Sequence, residues 1–386
     1  MKNLYRFEIK KICNTPIFKF IIPILLVVVL GILWLDFGNS QMATGTKFSK
    51  REAIQYNQKI AKKFEGHLDD DKIKQVLNDY LLFYTENKKS PEKLTSYPMD
   101  VFSYYIADTM LSNQSNLPSL VAKNPNISIE NVPIRPLSRL YHDTKQVKKF
   151  KLTTYYSWSD LFKTITSIFI PIALVSIIVI AGIFSEEKNQ RIDGLILTTK
   201  YGRSKLTINK IAVSYSLSFM IFISVFSSVL LVFWYLYGFS GWEGNIQANF
   251  YLKFFNFPIL ITNLQVLLLI LFIQLLNILV ITSMTLVLST LTSSANVTMI
   301  ASVAVTILPK GLDKLLPKGT LFSKIIQYFP ANNFTLKNIF EHMSFNESYL
   351  FNHFWSNLGT LVLLSILSCA FSVYFVYFYQ KRSYLS

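Results

Sequence analysis

Charge is what this chain has least of, and it is missing in blocks. Only 16% of the 386 residues are Asp, Glu, Lys or Arg, while 51% are hydrophobic and the mean hydropathy is +0.36. A soluble protein carries about a quarter charged residues, so this composition excludes an ordinary soluble enzyme. Cysteine is scarce too. Cys13 and Cys369 both lie outside the long polar region, so no disulfide framework staples that region together. The four histidines, His67, His142, His342 and His353, form no close pair and no HExxH, which removes the usual zinc arrangements. No GxxxxGK[ST] occurs: Gly202-Arg203-Ser204-Lys205 lacks the leading glycine loop that cradles phosphate, so the chain has no P-loop of its own. A nucleophile elbow and an intramembrane Asp pair are also missing. The expectation is a chain that is not an enzyme and holds no metal or cofactor.

What is present instead is apolar sequence in lengths that suit a bilayer, where about 20 residues make a crossing helix. The first run is FIIPILLVVVLGILWL, and the spans are expected at 20–36, 163–184, 212–237, 264–289, 295–309 and 358–379. The fifth is the weakest, with Pro309 expected to break it. The fold class that follows is an all-α polytopic membrane protein of six transmembrane helices, with a mostly helical extracellular domain between spans one and two. Ionisable groups are almost absent from the spans, and each costs a few kcal/mol at mid-bilayer, which argues against a proton relay. The fourth span carries the main polarity, Gln274, Asn277 and Thr285 among it. Either these residues bond to neighbouring helices or they line a pathway.

Lys and Arg in short loops set the orientation. Five stand before the first span, six lie between residues 185 and 211, two follow the last span, and the 238–263 loop has only Lys253. Both termini and the 185–210 loop are therefore expected in the cytoplasm, as a 1–19 interfacial helix and a 380–386 tail. The formal charge of +16 points to anionic lipid rather than nucleic acid. The basic approach to the first span looks like a signal peptide, but no small-x-small cleavage site follows it, so an uncleaved span is expected.

Residues 37–160 then lie outside. Ser49 and Glu52 form a capping box, and Ile73, Val76, Leu77, Tyr80, Leu81 and Tyr84 recur at helical spacing. Ser90-Pro91 offers a further helix start, and another helical pattern covers about 100–112, with Val101, Tyr104, Tyr105, Asp108 and Leu111. The proline- and asparagine-rich stretch after it reads as irregular or short strand at best. Asp69-Asp70-Asp71 lacks the spacing of a calcium loop and reads as a solvated helix start. Residues 310–356 are expected as outer re-entrant or short helices, punctuated by Pro317 and Pro330.

The loop FSEEKNQRIDGLILTTKYGRSKLTINK is the densest in charge, yet it holds an apolar face two turns long, Ile192, Leu195, Ile196 and Thr199. Ser185 is expected to cap a helix there, with Glu186 and Glu187 in its first turn and Gly194 leaving a flat spot. Such a strip either rests on lipid or docks on a partner.

Phe184, Glu187, Gly194, Thr199, Arg203 and Lys210 also follow a pattern that resembles the permease subunits of ABC-2 type ABC transporters, here a Gram-positive-like member with a large extracellular domain. Tyr328 to Phe334, YFPANNF, is similar to the family's proline-containing turn before its last span, and Gly241-Trp242-x-Gly244-x-Ile246-Gln247 resembles a loop of many members. The resemblance implies a multi-pass permease of the plasma membrane, half of an export pathway, paired with a second copy or homologue. It implies a coupling helix on a separate ATPase that holds ATP and Mg, with Glu187, Ile192, Gly194, Leu195, Ile196, Thr199 and Arg203 as the coupling residues. The large outer domain favours a peptide, an antibiotic-like amphiphile or an ion as substrate. The alternative is a membrane sensor whose ectodomain signals to a cytoplasmic kinase or regulator.

Overall fold

The computed structural model describes residues 2–40, 48–87, 97–112, 117–142, 144–198, 202–345 and 348–382. Among them, six helices are long and apolar enough to cross a membrane. These are α2 (Pro16–Asn39), α7 (Tyr156–Asn189), α9 (Thr207–Tyr237), α10 (Asn263–Leu291), α11 (Ala295–Leu315) and α14 (Phe354–Arg382). Shorter helices are α1 (Lys2–Cys13), α3 (Lys50–Lys63), α4 (Asp70–Asn87), α5 (Val101–Met110), α6 (Leu117–Lys123), α8 (Asp193–Thr198), α12 (Leu321–Ile326) and α13 (Pro330–Asn333). The chain is an all-α polytopic membrane protein, and its one described sheet is a two-stranded antiparallel pair, β1 (Gly66–His67) with β2 (Lys151–Leu152). Two compact units are distinguished: Met1–Ile32 with Ile165–Val229 and Ile270–Ser386, and Leu33–Thr164 with Leu230–Leu269.

The first unit holds most of the long helices. Ile183 and Phe184 of α7, Ile211 of α9, Leu286 of α10 and Val376 of α14 form one buried cluster, against which Ile12 of α1 packs. Both terminal helices therefore reach the end of this unit where the 185–210 loop begins. Pro309 does not end its helix as expected: α11 runs on to Leu315, into the 310–356 stretch expected to hold re-entrant or short helices. A proline inside a helix leaves the carbonyl four residues back, here that of Val305, without its usual N–H partner, and membrane helices tolerate this. Separately, Asn332 Nδ2 reaches the Pro309 carbonyl at 3.3 Å and the Ile326 carbonyl at 3.0 Å, tying α13 to α11. Pro330 stands at the start of α13, where its missing N–H costs nothing.

In the second unit the Ser49–Glu52 capping box forms in full, and α4 buries Ile73, Val76, Leu77, Tyr80 and Leu81. Asp69 accepts from the Lys72 amide at 2.6 Å, a helix cap rather than a cation ligand. The α5 helix buries Val101, Phe102, Ile106 and Met110, while Asp108 stays near water, where it pairs with Lys253 at 3.0 Å. The stretch expected to be irregular contains α6, whose proline lies in the first turn and so removes no helical bond. The Ser90-Pro91 helix start lies outside the described residues.

The 238–263 loop is held to the strand end by close backbone approach. Asn245 Oδ1 accepts from the Lys151 amide at 2.7 Å, and the Asn245 amide donates to the Lys151 carbonyl at 3.0 Å. Gly241 sits at φ +80°, and a Cβ there would stand 2.5 Å from the Thr154 carbonyl. At Gly244 a Cβ would meet Thr153 Oγ1 at 1.9 Å. The glycines are there so that the two segments can touch.

Candidate coupling site

The loop between the second and third crossing helices begins later than the sequence suggested. Ser185 caps nothing: it lies inside α7, and its hydroxyl donates to the Ala181 carbonyl at 2.7 Å. The helix continues because Ser289 of α10 serves this turn, accepting from the Phe184 and Ser185 amides at 3.1 and 3.3 Å and donating to the Ala181 carbonyl at 2.8 Å. The chain turns at Arg191, which takes a left-handed φ of 54°, unusual for a residue with a side chain. The six-residue α8 follows, and a π-helical turn, Gly202–Leu206, leads into α9.

The expected coupling residues separate into two groups. Leu195 is 73% exposed and Ile192 is 38% exposed, so these two residues of the expected strip face outward. Gly194 lies between them with open space where a Cβ would point. Glu187 faces the other way. It is buried, its Oε1 accepts from Lys11 of α1 at 2.8 Å, and its Oε2 accepts from the buried Lys210 of α9. The Lys210 ammonium also lies 5.0 Å from the centroid of the Phe184 ring. One carboxylate thus joins the N-terminal helix, the end of α7 and the start of α9. Ile196 lies within α8 and Arg203 within the π turn, and their side chains fall outside the described residues, as does all of Thr199.

Sequence reasoning missed the N-terminal half of this network. Glu8, also buried, lies near Lys11 and Lys210; burial pushes its carboxyl up, opposed by the charges of those two lysines. Burial works against the Lys11 ammonium, but its hydrogen bond to Glu187 and the surrounding carboxylates hold it above the usual range. The signal was a lone acid on the apolar face of a helix otherwise charged by Arg6, Lys10 and Lys11. Lys188 adds a further tie, donating to the Thr290 carbonyl and lying 5.0 Å from the centroid of the Tyr379 ring.

The polar stripe of α10 faces inward. Gln274, Asn277 and Thr285 are all buried; Gln274 donates to the Ile165 carbonyl at 3.4 Å and Thr285 to its own helix at Ile281, 2.8 Å away. Among the described residues, Gln274 Oε1 and Asn277 Nδ2 have no hydrogen-bond partner. Among the described residues, no group of His, Cys, Asp and Glu is arranged to hold a metal ion.

Six crossing helices and a charged loop braced against the N-terminal helix define a multi-pass membrane protein. The sequence model of the family described as ABC-2 family transporter protein matches residues 3–383, and the chain belongs to that family. It is accordingly a membrane permease subunit of an ABC transporter. No curated protein and no solved structure matches it.

Proposed function

We propose that this chain supplies half of an export pathway and is driven, through its 185–210 loop, by a separate ATPase that holds ATP and Mg. The observation that carries this reading is an outward-facing apolar helix set directly after a buried ionic anchor. Leu195 and Ile192 are exposed on and beside α8, while Glu187, Lys11 and Lys210 fix the base of the loop. An ion pair buried this deeply contributes little net stability, but breaking it is costly, which suits a joint that must not slip. Closure of the ATPase would press on α8, and the push would pass by contact into α1, α7 and α9. Glu187 then acts as a brace and Leu195 as the docking residue.

In this reading the loop and both termini are cytoplasmic, the second unit's 37–160 stretch is outside, and the membrane is the plasma membrane. The second half of the pathway comes from another copy or a homologue. The substrate class is a peptide, an antibiotic-like amphiphile or an ion. Replacing Gly194 by Trp tests the loop, since the open space around it lets the side chain in without disturbing the helices. The expected result is lost transport and lost co-purification of the ATPase, with an unchanged melting profile. Normal transport and capture in that variant would remove the loop from the mechanism. A membrane sensor would be caught with a kinase and no ATPase.

A further inference from the structure

A cavity of about 280 Å³ opens between α7, α10, α11 and α13. Its walls are apolar, including Ala173 and Ile177 of α7, Ile281 of α10 and Ile307 of α11. Thr306 and Lys310 are the polar side chains on its lining. The floor is built: Phe334 packs on Phe169 with ring centroids 5.1 Å apart, and Asn332 ties the short helix beneath to the Pro309 carbonyl. The rim faces sideways, since Ile170 is 49% and Ile307 56% exposed on helices that cross the membrane. At the cavity lies the Lys310 ammonium, 5.5 Å from the centroid of the Phe334 ring. Among the described residues Lys310 makes no ion pair.

We infer that this cavity takes an acyl chain of an anionic phospholipid, with the phosphate on Lys310. An apolar cavity of this kind does not fill with water. A second helix, about 10–12 Å across with its side chains, is too thick for it. A hydrocarbon chain entering from the bilayer fits the volume and restores the dispersion contacts that an empty cavity forfeits. The unpaired cation then selects the headgroup. Lys310 stands five residues before the end of α11, and the start of that helix adjoins the α7–α10 contacts at the loop. The lipid therefore belongs to the leaflet on the far side from the 185–210 loop.

The test is native mass spectrometry of the purified chain after exchange with phosphatidylglycerol or phosphatidylcholine of equal chain length. One lysine near an anionic headgroup is worth about 1 kcal/mol, so wild type should retain phosphatidylglycerol about fivefold better. Lys310→Gln should erase that preference. Lys314→Gln, one turn further along and outside the cavity, should keep it. Ala173→Phe, which fills the cavity, should lose retention of both lipids with the melting temperature held. Equal retention of the two lipids by wild type, or an unaltered preference in Lys310→Gln, overturns the assignment. So does retention of dodecyl phosphate but not of phosphatidylglycerol, which would make the occupant a soluble amphiphile.

Discussion

Glu187 shows how little a residue's type says about its direction. A glutamate in a charged loop is expected on the surface, yet this one is turned inward and accepts from two lysines. Removing one partner of a buried pair leaves an uncompensated charge, which costs about 3–5 kcal/mol. Glu187→Met, which strands the buried Lys210 ammonium, should therefore lower the melting temperature in detergent, and the Glu187→Met, Lys210→Met double variant should recover part of the loss. If the double variant is no better than the single, the pair is not what holds the loop base. Gly244 makes the same point in reverse. A methyl group there would overlap Thr153, and overpacking of this kind costs about 1–3 kcal/mol. Gly244→Ala should accordingly destabilise the second unit, read by faster hydrogen exchange around β1 and β2, and leave the first unit's exchange unchanged.

At the scale of elements, α5 carries a pH dependence. Asp100 caps it by accepting from the Ser103 amide at 2.9 Å. Loss of hydration pushes the Asp100 carboxyl up to about 6, against about 3.9 for a free aspartate. Its protonated form is the one the fold favours, so that contribution is complete below about pH 4 and is lost as the pH rises through about 6. Hydrogen exchange of the α5 amides, corrected for the intrinsic pH dependence, should be slower at pH 5 than at pH 7. Asp100→Asn keeps a cap acceptor without the charge and should flatten that difference. An unchanged pH profile in this variant would assign the effect elsewhere. The α11 helix teaches a different lesson: its proline lies inside the helix rather than at its end, and Asn332 of the neighbouring short helix ties to that position at the Pro309 carbonyl.

At the scale of the whole molecule, α1, α14 and the base of the loop gather around one cluster of the first unit, with Phe184, Ile211 and Val376 in it and Ile12 packed against it. Orientation follows if the basic flanks lie in the cytoplasm. Single cysteines at Leu195 and Lys59, in a background without Cys13 and Cys369, should label from opposite sides of intact cells, Lys59 from outside. Labelling of both by an impermeant reagent would invert or break the proposed topology. The inward-facing Gln274 and Asn277 bear on function at this scale as well. They pack within one chain, so a pathway role for them requires the helices to part during the cycle.

The order of the six crossing helices, the capped and amphipathic α3 and α4, and the exposure of Ile192 and Leu195 beside Gly194 were all legible from residue order. Each depends on a local regularity: span length against bilayer thickness, 3.6-residue spacing, and orphan amides at a helix start. Glu8 was not legible as a partner of this loop, nor was the inward turn of Glu187, the cradle at Gly244 or the cavity at Lys310. Those depend on segments far apart in the chain lying within a few ångströms of one another, such as residues 11 and 187 or 153 and 244. Local propensity carries no information about such distances, because burial and electrostatic pairing arise only once the helices have packed.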